Sequence, residues 1–211
     1  MPVRLNHVHQ SMMNYRPLLR RGHMPASLFM RIHILGAPGS GVSTLGKALA
    51  ARLQIPCFDT DDYHWFTEDA LPYRRRRNPD HRRQLLSADL AKNDSWVLSG
   101  ALCGWGDVYI PQFESVVYLW LPVEIRLERI REREIRRFGL DRIEPGGDLN
   151  GVFEKFLQWA AAYDEDSGNI RSRDLEQAWL KKLNCPVLQL ESELPLSECV
   201  DFITNCLLPS N

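Results

Sequence analysis

One segment constrains the fold more than any other. The apolar run Ile32-His33-Ile34-Leu35 is followed by Gly36-Ala37-Pro38-Gly39-Ser40-Gly41, and Val42-Ser43-Thr44 then leads into a helical run from Leu45 to Leu53. Strand, glycine loop and helix in that order make a tight backbone turn, with N–H groups pointing inward beside the positive end of the helix dipole. Such a turn holds a polyphosphate mainly through backbone, so residues 36–44 are the predicted phosphate site. A glycine turn without a ligand is the competing account, and the intact context of the motif weighs against it.

The usual form of this motif, Gly-x-x-x-x-Gly-Lys-Ser/Thr, carries a lysine that reaches the β- and γ-phosphates. Here Val42 stands in the lysine position, while Ser43 fills the hydroxyl position that ligates magnesium. Lys47 lies five residues beyond Val42. That is more than a helical turn, so Lys47 is not expected to point into the loop. The sequence therefore separates phosphate binding, which it supports, from catalysis, which it supports less.

Elsewhere short apolar runs alternate with helical stretches, the pattern of a parallel sheet covered by helices. Strands are predicted at 31–35, 56–58, 96–99, 116–121 and 187–190. A helix follows the glycine loop at 43–53, and Asn78 with Pro79 supplies the N-cap and first-turn proline of another that runs to about Ala91. Pro122 opens a third, with Val123, Leu127 and Ile130 on one face and Gly139 as its stop. Phe153, Phe156, Leu157, Ala160 and Ala161 form one helical stripe, and Leu196, Val200, Ile203 and Leu207 form another. These stripes are core.

A chain of 211 residues has material for one sizeable core, and a formal charge of −1 gives no global sign of a nucleic-acid or membrane-surface protein. No apolar run approaches the roughly 20 residues that cross a bilayer. The cysteines, Cys57, Cys103, Cys185, Cys199 and Cys206, have no CxxC pair and no His/Cys ligand spacing, which fits reduced thiols in a cytoplasm. Residues 1–29 carry arginines but no Asp or Glu. They are predicted as a disordered or loosely docked extension, with an organellar presequence as the alternative and His7 and His9 solvated.

The loop Gly-Ala-Pro-Gly-Ser-Gly, together with chain length, strand count and arginine placement, resembles adenylate kinase and its nucleoside-monophosphate and shikimate kinase relatives over about 30–208. The resemblance implies an α/β fold: a five-stranded parallel sheet with helices on both faces, plus a small helical lid at about 126–150. An acceptor-binding segment is implied at about 63–93. ATP and magnesium are the implied cofactors, with the phosphates on Gly36, Ala37, Pro38, Gly39, Ser40, Gly41, Val42, Ser43 and Thr44. Implied partners are a nucleoside triphosphate and a small-molecule acceptor, without nucleic acid or membrane, in a cytoplasmic monomer or homodimer.

Asp59-Thr60-Asp61-Asp62 stands at the carboxyl end of the second strand, where open α/β sheets bind ligands. It resembles the Asp-x-Asp element of shikimate and gluconate kinases, which implies catalytic roles for Asp59 and Asp61 and a metal site at Ser43 and Asp61. Helix capping or loop solvation is the alternative, and it applies most strongly to Asp62. The third strand ends at Ser99, where many relatives carry a magnesium-organising aspartate, so the metal burden shifts toward Asp59 and Asp61. Trp105, between Gly104 and Gly106, could stack on a base or ring or anchor its own loop.

Arg74 to Arg77 precede the helix with Arg82 and Arg83, and Arg77 and Arg82 are the expected acceptor contacts. A solvated face is the alternative. Nucleic-acid binding there lacks an interleaved aromatic platform. Arg129 and Arg133 are one turn apart in the lid region, where guanidinium forks suit phosphate oxygens; pairing with Glu128, Glu132 and Glu134 is the competing account. Arg171 and Arg173 resemble the pair that follows the lid in adenylate kinases. Arg133 and Arg171 are therefore expected to act in catalysis, and Arg129 and Arg173 to hold nucleotide. The resemblance implies an ATP-dependent phosphotransferase acting on a nucleoside monophosphate or small hydroxyl metabolite. The alternative is a catalytically weak nucleotide-binding sensor or scaffold.

Overall fold

The computed structural model describes residues 29–66, 68, 75–165, 171–191 and 193–208. The extension at 1–28, with His7 and His9, lies outside the described residues, as do Tyr73 and Arg74. Five strands, β1 (Arg31–Gly36), β2 (Cys57–Asp59), β3 (Trp96–Ser99), β4 (Ser115–Trp120) and β5 (Val187–Glu191), form one parallel sheet in the order β2-β3-β1-β4-β5. Parallel neighbours need long crossovers, and helices supply them. They are α1 (Val42–Leu53), α2 (Thr60–His64), α3 (Pro79–Leu90), α4 (Val123–Phe138), α5 (Leu140–Ile143), α6 (Asn150–Ala161), α7 (Arg173–Leu180) and α8 (Leu196–Leu207).

Alternation along the strands divides the core into two layers. Ile32, Ile34, Val117 and Leu119 face one side, where they pack with Leu45 and Leu49 of α1 and Val200 and Ile203 of α8. Leu35, Leu98, Val116 and Tyr118 face the other, with Leu86 and Leu90 of α3 and Trp179 of α7. The elements on either side of β1 and β3 thus leave toward opposite faces, which opens a crevice at the carboxyl ends of these strands.

A third apolar cluster lies beyond the sheet. Ile130 of α4, Ile143 of α5, and Phe153 and Leu157 of α6 pack together with Leu149. This cluster runs past residue 150, where the expected lid ends, because α6 buries its apolar stripe against α4 and α5 and not on the sheet. Among the described residues, no helix is long and apolar enough to cross a membrane.

Candidate functional site

The glycine loop owes its path to close approaches that only glycine permits. Gly36 has φ +153°, and a Cβ there would stand 1.8 Å from the carbonyl oxygen of Leu119 in β4. Ala37 N–H bonds that same oxygen at 3.2 Å, and the Ser40 hydroxyl donates to the Ala37 carbonyl at 2.8 Å. Both groups are spent on holding the loop. From below, the fully buried guanidinium of Arg126 donates to the carbonyls of Pro38 (3.2 Å), Ala160 (3.1 Å) and Leu121 (2.8 Å), and it pairs with Asp164.

At the helix end the loop is open. Gly41, with φ +99°, caps α1 without a side-chain hydrogen bond, and the first turn holds no acidic residue. The first intrahelical bond runs from Leu45 N–H to the Gly41 carbonyl at 2.9 Å. The N–H groups of Val42, Ser43 and Thr44 are therefore left without intrahelical acceptors at the positive end of the dipole. These residues line a cleft of about 1180 Å³. Val42 itself, 9% exposed, belongs to the apolar cluster of Ile32 and Leu45. Lys47 is not among the residues lining the cleft.

Asp59 and Asp61 also line the cleft. The carboxylate of Asp59 caps α2, accepting from Asp61 N–H at 3.0 Å, so the capping role expected most of Asp62 falls to Asp59. Burial, reinforced by the neighbouring Asp59 charge and opposed by Arg171, raises the Asp61 carboxyl above its ordinary value, although its outer side is open to the cleft. No carboxylate stands at the end of β3. Ser99 is 1% exposed and its hydroxyl donates to the Phe58 carbonyl at 3.2 Å. Among the described residues no group of three or more His, Cys, Asp or Glu could hold a metal unaided. A hydroxyl and one or two carboxylates are nevertheless the donor set on which magnesium rests when it brings its own water and a nucleotide's phosphates. Ser43, Asp59 and Asp61 fit that set.

The arginines divide sharply by position. Arg77, 9% exposed, donates to the carbonyls of Asp62 (2.6 Å), Tyr63 (3.4 Å) and Trp65, fastening the end of α2. Arg82 donates to the Arg77 carbonyl at 2.7 Å and lies 5.9 Å from the Trp105 ring. Neither lines the cleft. The run contributes Arg76 instead: Trp65 and Arg76 form an antiparallel bridge, and both side chains reach the cleft with His64 and Trp105. Burial, then the charges of Arg82, Arg76 and Arg171, lowers His64 to about 4. Trp105 is held by its own Nε1–H to the Ala101 carbonyl at 3.2 Å. It thus anchors its loop and also faces the cleft.

Arg129 and Arg133 both line the cleft from α4, as their one-turn spacing predicts. Arg133 is paired with Glu134 at 2.8 Å, so the expected ion-pair alternative holds for it in part. Arg136 of α4, from the same arginine-rich stretch, and Lys155 of α6 also line the cleft, and nothing in the spacing of Lys155 marks it. The pair at 171 and 173 separates. Arg171 lines the cleft, donating to the Gly36 carbonyl and to Glu176 at 2.9 Å, whereas Arg173 stacks 4.3 Å from the Trp120 ring and does not line it.

Residues 32–144 match the family profile described as AAA domain. Over 176 residues the chain is 44% identical to the uncharacterized protein YqaC of Bacillus subtilis (strain 168), covering 83% of this chain and 96% of that one. It is 27% identical over 140 residues to a cytidylate kinase of Archaeoglobus fulgidus, covering 62% of this chain and 75% of that one. A solved shikimate kinase from Bacteroides thetaiotaomicron covers 84% of this chain and 98% of its own, with a TM-score of 0.51 at 18% identity. The chain belongs to the AAA domain family, and its fold is that of the P-loop kinases of small molecules.

Proposed function

We propose that the chain is an ATP-dependent small-molecule phosphotransferase that binds the triphosphate on residues 36–44 and an acceptor between Asp59, Asp61, Arg76 and Trp105. One observation carries the reading: the start of α1, with no acidic residue and no side-chain cap, opens onto a cleft that two carboxylates also line. Phosphoryl transfer asks mainly for positioning and charge neutralisation, and this arrangement supplies both.

On this reading the N–H groups of residues 42–44 hold the phosphates, with Arg171 and Arg133 set against their charge. Ser43 and Asp61 would hold magnesium, which would supply charge neutralisation to the triphosphate. An acceptor oxygen attacks the γ-phosphorus as the bond to the bridging oxygen breaks, and ADP leaves. Where the acceptor presents a hydroxyl, its proton passes to Asp59, the carboxylate of the pair that does not hold the metal. The lid helices exclude water, and Arg129 flanks the nucleotide from α4. Arg76 beside Trp65 and Trp105 suits an acceptor with an anionic group on a ring or planar body.

A second reading draws on Val42 and Ser99, both packed where a lysine and an aspartate would serve catalysis. Under it the chain binds nucleotide in the cytoplasm and acts as a sensor or scaffold. Labelled ATP with a panel of nucleoside monophosphates and small hydroxyl acids separates the two. Transfer to none of them removes the kinase reading, and calorimetric ATP binding without turnover favours the second.

A further inference from the structure

Glu176 of α7 is fully buried, and both its oxygens are occupied. Oε1 accepts from Arg171 Nε at 2.9 Å, and Oε2 accepts from the hydroxyl of Tyr163. The Tyr163 hydroxyl lies 2.9 Å from that of Tyr118 in β4. Since Tyr163 spends its single proton on Glu176, Tyr118 must donate to Tyr163. Burial, then the Glu176 charge, holds both phenols above their ordinary range, Tyr163 strongly and Tyr118 at about 12, so each keeps its proton. The hydroxyls thus run in one direction and end on the carboxylate, a chain whose members polarise one another.

An ionised carboxylate in a sheet core is costly unless paired, and removing its partner leaves an uncompensated charge. Its partner is Arg171, whose Nη2 also donates to the Gly36 carbonyl where β1 enters the phosphate loop. Among the described residues, no other cation that lines the cleft has a hydrogen bond to that loop's backbone. Among the described residues these two bonds use two of the five guanidinium donors, and the side chain lines the cleft. Burial would lower the Arg171 guanidinium, but Glu176, Tyr163 and Asp61 outweigh it and keep the group charged.

We propose that Glu176, braced by Tyr163 and Tyr118, is the positioning residue that holds Arg171 against Gly36 as the fixed cation of the phosphate loop, in the role that a lysine at Val42 would serve. The inference rests on the nucleotide-binding reading above. Its reason is preorganisation: a long cation anchored at two points before the ligand arrives has little left to reorganise when phosphate charge appears.

The test is ATP calorimetry on the unaltered protein, Glu176→Gln, Arg171→Ala and the double variant, alongside NMR of the arginine Nε–H signals without ligand. Glu176→Gln is expected to weaken ATP binding on the order of tenfold, the loss of one charge-assisted contact. It should also speed solvent exchange of the Arg171 Nε–H, which the bond to Glu176 is expected to slow. On the Arg171→Ala background it should add nothing, because Glu176 acts only through that arginine. Tyr163→Phe, which keeps the ring and removes the bond, should show a smaller loss with the same dependence on Arg171, and it carries the test should Glu176→Gln fail to fold. An equal loss with and without Arg171, or unchanged binding in both single-site carriers of the altered network, overturns the proposal. Absence of ATP binding in the unaltered protein is a different failure, since it removes the nucleotide reading itself and this inference with it.

Discussion

The guanidinium of Arg126 donates to the carbonyl oxygen of Pro38 at 3.2 Å across 88 residues of sequence, so the helix after β4 props the phosphate loop from beneath. The same group serves Leu121, Ala160 and Asp164. Arg126→Met leaves these acceptors without their donor in a dry site. Urea unfolding should show a loss of about 3–5 kcal/mol. A loss under about 1 kcal/mol would mean the strut is dispensable.

Two glycines of the loop should respond differently to alanine. Gly36 meets the Leu119 carbonyl, whereas a Cβ at Gly41 meets nothing within 4 Å and suffers only the positive φ. Gly36→Ala is expected to destabilise by about 4 kcal/mol or more, the range of severe core clashes. Gly41→Ala should cost about 1–2 kcal/mol. Thermal melts of the pair decide it, and equal effects would contradict the geometry.

Adjacent arginines have opposite assignments. Arg77→Ala strips the carbonyls of Asp62, Tyr63 and Trp65 of their donor, and should destabilise by about 3 kcal/mol. Arg76 is exposed at the cleft. Arg76→Ala should leave stability within about 0.5 kcal/mol while raising the acceptor's KM and sparing that of ATP. Chemical denaturation and steady-state kinetics with varied acceptor test both halves. A raised KM for ATP alone would place Arg76 on the wrong substrate.

His33 introduces a pH dependence from inside the sheet. Its Nδ1 lies 2.9 Å from the Leu98 carbonyl, which can only accept, so Nδ1 carries the proton; Nε2 is left unpartnered beside the rings of Phe113 and Trp179. Burial lowers the imidazole to about 4. The unfolded chain takes up a proton as pH falls through 6.5 and the folded one resists until near 4, so this contribution is complete above 6.5 and is lost progressively toward 4. Its full size is about 3 kcal/mol. Urea midpoints from pH 7 to 4.5 should fall less steeply in His33→Leu than in the unaltered protein, and parallel curves would refute the assignment.

Much of the architecture was legible because it repeats locally. The strands appear within about a residue of their expected ends, and Asn78 with Pro79, Pro122 and Gly139 bound the helices they were expected to bound. Those signals are properties of short segments: alternating burial, a fixed φ, a cap. What α6 packs against was not legible, because its stripe shows that a face is buried but not against what, and the partners are α4 and α5.

Side-chain roles within the arginine runs were far less legible. Arg76 and Arg77 are neighbours with the same chemistry, and only the Trp65–Arg76 bridge turns one to the cleft and the other under α2. Arg171 and Arg173 differ in the same way, one drawn to Glu176 and the loop, the other to the face of Trp120. Glu176 and Arg126 carry no mark in the sequence at all, since an acidic or basic residue in an amphipathic helix is ordinarily solvated.

By itself, the sequence determined that a glycine loop would join strand to helix and expose N–H groups, because backbone sterics and helix termini act over a few residues. It also determined that no lysine would stand at position 42. Which cation meets the loop was decided by the tertiary structure alone. A guanidinium goes where its buried partners are, and Arg171 finds Gly36 across 135 residues only once α7 has packed Glu176 beneath it.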